Sequence, residues 1–252
     1  MQEDDRPSVR FLLYNIRYGT GAQQPRFPWS GYLGRTAVHT EEIGRFLKTL
    51  APDIVGLVEV DGGSYRSRKQ NQAQLIAASL GHYHCYRSKY SETARVARRL
   101  PVLNKQGNAF LARDSIKGER FHYFNQGMKR LVIELELDNL VIFLVHLSLS
   151  FRVRHHQLRD LYDLVRTTSK PLIVAGDFNA LWGDHEIDLF LAASGLKDVN
   201  EARLPSFPSW APKRHLDFIL CSPEINCRRF WMPTVTLSDH LPLVLDFDLP
   251  EA

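Results

Sequence analysis

The sequence predicts one α/β domain with two layers of β-sheet. Short apolar runs alternate with segments of helical spacing along the whole chain. No internal repeat, low-complexity tract or Pro/Gly/Ser-rich linker divides it. The length of 252 residues, with 44% hydrophobic and 24% charged residues, is an ordinary soluble composition that fits one large domain or two small ones. The unbroken alternation decides for one, spanning 1–252 with a core over about residues 9–248.

Taken in order, Val9–Ile16 is a strand pattern that reaches Asn15, followed by a Gly/Pro/aromatic loop from Gly19 to Gly34. Arg35–Leu50 has helical spacing through Val38, Ile43, Phe46, Leu47 and Leu50, and Pro52 ends it. Asp53–Val58 is a buried strand that ends at Glu59. Arg68–Leu80 reads as a helix stopped by Gly81, and Tyr83–Tyr86 as a short strand. Ser88–Lys105 is polar and basic, which predicts a surface excursion, and a strand starts at Asn108 and runs to Ala112. Lys129–Leu137 and Leu140–Leu149 predict a hairpin turning at Asp138–Asn139. Arg152–Val165 is an amphipathic helix. Pro171–Leu181, PLIVAGDFNAL, is a core strand that breaks at Gly176 and sets Asp177 and Asn179 just past its end, with Phe178 turned away. A helix over Asp184–Ala193 closes at Gly195, and strands over Leu216–Cys221, Arg229–Thr236 and Leu241–Phe247 complete the chain.

The three cysteines, Cys85, Cys221 and Cys227, are odd in number and scattered. This argues against a disulfide framework or a zinc site and fits a reducing compartment, so a cytoplasmic location is expected. The N-terminal MQEDDRPSVR has no apolar segment of the secretory kind, and no run reaches membrane-spanning length. A formal charge of +4 allows an anionic substrate without demanding one.

Polar residues recur where the predicted strands meet loops: Asn15, Glu59, Asn108, His146, Asp177, Asn179, Asp217, and the pair Asp239–His240. Ligand sites in α/β sheets gather at strand ends. Each residue has an ordinary alternative: a loop cap for Asn15, an exposed acid for Glu59, a core histidine for His146, a pair with Arg214 for Asp217, a turn for Asp239. Together these alternatives fail, because so many polar groups beside apolar strands need partners.

The ordered set Tyr14–Asn15, Glu59, Gly107–Asn108, His146, Gly176–Asp177–Phe178–Asn179, Leu216–Asp217–Phe218–Ile219–Leu220 and Ser238–Asp239–His240 resembles the endonuclease/exonuclease/phosphatase (DNase I-like) superfamily over nearly the whole chain. The resemblance implies a four-layer α/β/β/α sandwich and a phosphoester hydrolase. It implies Glu59 as the main metal ligand with Asn15 and Asp239 beside it. Asp177 would orient or deprotonate the attacking water, Asn179 would donate to a phosphate oxygen, and His240 would contact the phosphate with Asp217 fixing its tautomer. His146 would act as general acid or phosphate ligand, as in the DNase I-like and sphingomyelinase-like branches, and Asn108 would support the phosphate pocket. The all-oxygen ligand set favours Mg²⁺ or Mn²⁺.

Substrate choice is less legible. Basic residues gather over Arg87–Lys105 and over Arg152, Arg154, His155, His156 and Arg159. Either cluster could bind a nucleic-acid backbone or anionic headgroups, and either could be a solvated surface. Phe27, Trp29, Phe207 and Trp210 could stack on bases, dip into lipid, or simply pack within loops. The expected activity is hydrolysis of a nucleic-acid or phospholipid-type phosphodiester. The alternatives are a phosphomonoesterase of the inositol-phosphate type and a non-catalytic binding module on the same fold. A monomer with no obligate protein partner is expected.

Overall fold

The computed structural model describes residues 8–22, 37–89, 102–113 and 116–249. Its strands are β1 (Ser8–Asn15), β2 (Ile54–Asp61), β3 (Tyr83–Ser88), β4 (Gln106–Ala112), β5 (Gly118–Tyr123), β6 (Leu131–Glu136), β7 (Val141–His146), β8 (Leu172–Asp177), β9 (Lys197–Asp198), β10 (Asp217–Cys221), β11 (Cys227–Trp231) and β12 (Leu243–Asp248). They form two six-stranded sheets, β11-β12-β1-β2-β4-β3 and β5-β6-β7-β8-β10-β9. The described α-helices are α1 (Ala37–Leu50), α2 (Gln72–Leu80), α3 (Phe151–Arg166) and α4 (His185–Ser194).

The two sheets pack face to face. Phe11, Leu13 and Phe110 of the first meet Ile133, Ile142, Leu144, Ile173 and Ile219 of the second. The alternate residues Leu12, Tyr14, Val55 and Leu57 face outward and are covered by Ile43, Leu47 and Ile76 of α1 and α2. Phe143, Val145 and Val174 are covered likewise by Leu158, Leu161, Ile187 and Phe190 of α3 and α4. Both faces of each central strand are therefore buried, which is why these strands read as unbroken apolar runs. The result is the expected four-layer α/β/β/α sandwich. Each fully buried aliphatic or aromatic side chain contributes about 1.5–3 kcal/mol of transfer free energy.

One parallel pair lies inside each sheet, β1–β2 and β7–β8. The C-terminal ends of these four strands face one edge of the sandwich. Antiparallel neighbours β4 and β10, and the segment entering β12, bring their N-terminal ends to the same edge. In register, His146, Asp177 and Asp217 form a row across β7, β8 and β10.

Several boundaries differ from the sequence reading. Glu59 lies inside β2 rather than beyond it, at a β-bulge between Leu57 and Val60 with a positive φ of 57°. Asn108 is the third residue of β4, not its first. Gly176 does not break its strand: a Cβ there would lie 1.9 Å from the Val145 carbonyl oxygen, so glycine permits the close approach of β7. The helix expected from Arg68 begins at Gln72, capped by the Asn71 side chain on the Ala73 amide. The cause is Asp61, whose carboxylate takes the Gly63 and Ser64 amides and the Arg66 guanidinium and holds this stretch in turns. The strand expected over Arg229–Thr236 ends at Trp231, before Pro233. Strands β5 and β9 were not foreseen: β5 is polar and half-exposed, and β9 has two residues. The aromatic residues Phe27 and Trp29 and the basic residues Arg95, Arg98 and Arg99 lie outside the described residues.

Candidate active site

The strand-end edge gathers nine of the ten sequence-predicted residues. Asn15 closes β1 and donates from Nδ2 to Asp177 Oδ2 at 3.0 Å, joining the two sheets. Its Oδ1 accepts from the Arg17 amide at 3.1 Å. Asp239 reaches the same corner through Arg17, whose Nε lies 3.2 Å from Asp239 Oδ2. Ser238 Oγ donates to the Asn15 carbonyl at 2.7 Å, which fixes the Ser238–His240 turn against β1.

Asp177 is at the centre and almost fully buried. His146 Nε2 lies 3.4 Å from its Oδ2 and His240 Nε2 3.9 Å from the same atom. Burial pushes the Asp177 carboxyl up to about 6; Asp217 adds to the rise while His240 and Lys129 oppose it. His240 donates from Nδ1 to Asp217 Oδ2 at 2.7 Å. Burial works against the imidazolium, but Asp217, with Asp177 and Asp239 behind it, outweighs burial and raises His240 to about 10. Asp217 also accepts the Ser206 hydroxyl at 2.6 Å. Phe207 leans on the His240 ring, with centroids 4.9 Å apart.

His146 is the opposite case. Burial first, then the positive charges of Lys129, Lys89 and His240, push it well below its ordinary value, so it is a neutral imidazole. Lys129 Nζ contacts His146 Nε2 directly. Lys89 is buried against the Tyr18 hydroxyl at 2.9 Å and lowered to about 7, chiefly by burial. It is therefore not part of the surface excursion expected for Ser88–Lys105.

Asn179 has a left-handed φ of 52°; its backbone N–H donates to Asp177 Oδ1 at 2.9 Å, and its Nδ2 donates to the Leu147 carbonyl at 2.9 Å. Asn108 Oδ1 accepts from the Glu59 amide at 3.4 Å and so holds the bulge. Arg152 is the exception. It is exposed on the first turn of α3, and among the described residues no hydrogen bond ties it to the cluster. Its neighbour Arg154 is fully buried on Glu186 and the Ser148 and Leu149 carbonyls, a structural strut and neither the phosphate contact nor the solvated side chain that its cluster left open.

Glu59 offers a carboxylate that could hold a cation. Among the described residues nothing hydrogen-bonds its carboxylate; the neutral His146 ring lies 3.9 Å away and the Lys129 ammonium 4.0 Å. Burial, the main cause, raises Asp239 against the opposing charges of His240 and Arg17, and the Glu59 carboxylate adds to the rise. Asn15, Glu59 and Asp239 together offer the oxygen donors that a hard divalent ion takes. Asp177, Asp217 and His240 also bring ligand atoms within 4.8 Å of one another. There, however, the Asp217 carboxylate and His240 Nδ1 are already spent on each other and on Ser206.

Sequence reasoning missed Arg17, Lys129 and Ser206. Ser206 and Lys129 sit in irregular segments with no periodic signal. Arg17 follows the Tyr14–Asn15 motif by two residues and could have been sought there. Ser238 was visible as the first residue of Ser-Asp-His.

No curated protein sequence matches the chain. Similar solved structures include an endonuclease/exonuclease/phosphatase from Beutenbergia cavernae DSM 12333 (TM-score 0.71, 21% identity, covering 98% of this chain and 73% of that one). A mannosyl-6-phosphatase of Bacteroides thetaiotaomicron VPI-5482 aligns with TM-score 0.69 and 16% identity over 95% of this chain and 99% of that one. The human Nocturnin catalytic domain with bound sulfate aligns with TM-score 0.67 and 20% identity over 98% and 95%. These likenesses establish the fold. A sequence model of the Endonuclease/Exonuclease/phosphatase family matches residues 12–240, from the middle of β1 to His240 itself. The chain belongs to the endonuclease/exonuclease/phosphatase family.

Proposed function

We propose that the chain is a divalent-metal-dependent phosphodiesterase that cleaves a nucleic-acid or phospholipid-type diester by in-line attack of water. The observation that carries this reading is the line Asp217–His240–Asp177–His146, in which two imidazoles flank one buried carboxylate. Mg²⁺ or Mn²⁺ would be held by Glu59, Asn15 and Asp239, and when bound would neutralise phosphate charge.

The chain's own groups supply the rest. Asp177, near 6, is ionised at neutral pH yet basic enough to take a proton from the attacking water. His240 is charged and donates from Nε2 to a non-bridging phosphate oxygen, with Asp217 holding its Nδ1 proton. Asn179 and Asn108 contribute amide contacts to the same phosphate. Held neutral, His146 orients Lys129 toward the phosphate rather than protonating the leaving oxygen itself. The water oxygen forms a new P–O bond as the bond to the leaving oxygen breaks; Asp177 takes the water proton and passes it to solvent, and the Lys129 ammonium beside His146 protonates the leaving oxygen, so the products are a phosphomonoester and an alcohol.

We also propose one catalytic domain, since both sheets share one inner core. A phosphomonoesterase is the second reading, and the structural likeness to a mannosyl-6-phosphatase keeps it in view. Purified protein with Mg²⁺ or Mn²⁺ tested against plasmid, abasic duplex, sphingomyelin and inositol phosphates separates the readings. Release of alcohol from a diester is expected; phosphate release from monoesters with no diester turnover would replace the first reading by the second.

A further inference from the structure

Most large apolar side chains that the described residues expose stand on segments that adjoin the site. Met128, Leu149, Phe151, Trp182 and Trp210 are all exposed, Trp182 by 80%. They stand on four segments, three loops and the loop that runs into α3 at Phe151, each tied to a residue of the site. Met128 precedes Lys129, which contacts His146. Leu149 and Phe151 follow Leu147, whose carbonyl holds Asn179. Trp182 follows Leu181, whose amide donates to the Asn179 carbonyl at 2.7 Å. Trp210 follows Ser209, whose amide donates to the Asp239 carbonyl at 2.8 Å.

The loops are also tied to one another. Gly127 packs against Val153 and Gln157 of α3, and the Gln157 side chain donates to the Gln126 and Lys129 carbonyls. Arg154 braces the Ser148 and Leu149 carbonyls. Arg214 donates to the Leu181 carbonyl, which joins the Trp182 and Trp210 loops. The mouth of the site thus carries a braced apolar rim. Exposed apolar groups gathered this way mark an interaction surface, whereas scattered ones do not.

Exposed cations accompany the rim: Arg152 beside Phe151, and Lys213 and Arg214 on the Trp210 loop. Asp184, the acid nearest Trp182 in sequence, is turned to Arg203 at 3.5 Å and His215 at 3.7 Å. The rim therefore combines tryptophan, aliphatic side chains and positive charge. Aromatic rings alone would suit stacked bases. Leu149 and Met128 have no π-face to stack and no donor for phosphate, whereas acyl chains accept them. Tryptophan and arginine favour the interfacial layer of a bilayer that carries anionic headgroups.

We propose that this rim docks on the surface of an anionic phospholipid bilayer and presents the site to phosphoesters held there. The substrate location rests on the phosphoesterase reading above; the docking surface itself does not. The test is co-sedimentation of purified protein with phosphatidylcholine vesicles, with and without phosphatidylglycerol, beside turnover of soluble bis(p-nitrophenyl) phosphate. Wild-type protein is expected to sediment with the phosphatidylglycerol vesicles and to shift its tryptophan emission to the blue. The Phe151→Ser/Trp182→Ser variant is expected to bind about tenfold more weakly or worse, with an unchanged melting temperature and unchanged turnover of the soluble diester. Wild-type protein that stays in the supernatant, or a double variant that sediments equally well, would overturn the proposal. So would rim-dependent binding of duplex or single-stranded DNA without vesicle binding. Vesicle binding without soluble-diester turnover would leave docking standing and remove the catalytic reading instead.

Discussion

Asp217 accepts the Nδ1 proton of His240 at 2.7 Å, with both side chains buried and the Ser206 hydroxyl on the same carboxylate oxygen. This pair decides how the site responds to pH. His240 is raised to about 10, so it is a cation throughout the neutral range. A raised imidazole adds stability that is fully present below its ordinary value near 6.5 and is lost as pH rises through about 10. We therefore predict that Asp217→Asn narrows the gap to the unfolded state most at pH 6 and least near pH 10. Its kcat/KM should fall about 10–100-fold, with the alkaline limb displaced toward neutrality. Thermal melts and kcat/KM recorded across that range check both.

Asp177 gives the acid limb. The base must be ionised, and burial holds this carboxyl near 6, so activity should rise with pH through about 6. Asp177→Asn should remove about 10²–10⁴-fold of turnover. An acid limb that stays near 4 in the wild-type profile would assign the limb to another group.

Glu59 separates stability from function. Its φ of 57° is unfavourable for a side chain that can make no local bond to its own backbone, and such residues cost about 1–3 kcal/mol. Asparagine tolerates that conformation better. Glu59→Asn should keep or raise the stability, by up to about 1 kcal/mol, while divalent-ion binding measured by titration calorimetry is lost.

Gly176 tests the packing under the site. A methyl group there meets the Val145 carbonyl oxygen at 1.9 Å, and backbone cannot step aside as a side-chain tip can. Gly176→Ala should cost about 3 kcal/mol or more in chemical denaturation and should displace Asp177.

The central strands were legible because burial on both faces writes them as unbroken apolar runs, as in Leu172–Ala175. The helix ends at Gly81 and Gly195 were equally plain, since both glycines take the left-handed cap. What failed was local geometry set by distant partners. The bulge at Glu59 depends on Asn108, and the late start of α2 depends on Asp61; neither leaves a periodic trace. Strand β5 was missed because Glu119, Arg120 and His122 face solvent or salt bridges, so little apolar patterning remains. In the site, residue types at strand ends were readable, while Lys129, Ser206 and the burial of Arg154 were not. They become visible only when β6, β10 and α4 are folded against their neighbours. The fate of Arg154 shows the limit well: an arginine in a basic run looks solvated until Glu186 arrives from another helix.

The most direct test of the account is Mg²⁺-dependent hydrolysis of a phosphodiester by wild-type protein, Glu59→Ala and His240→Ala, each checked for an unchanged fold by circular dichroism and thermal melting. Turnover is expected to need the ion and to fall by about 10²–10⁴-fold in each variant while both remain folded. Turnover near the wild-type level in either folded variant would contradict it.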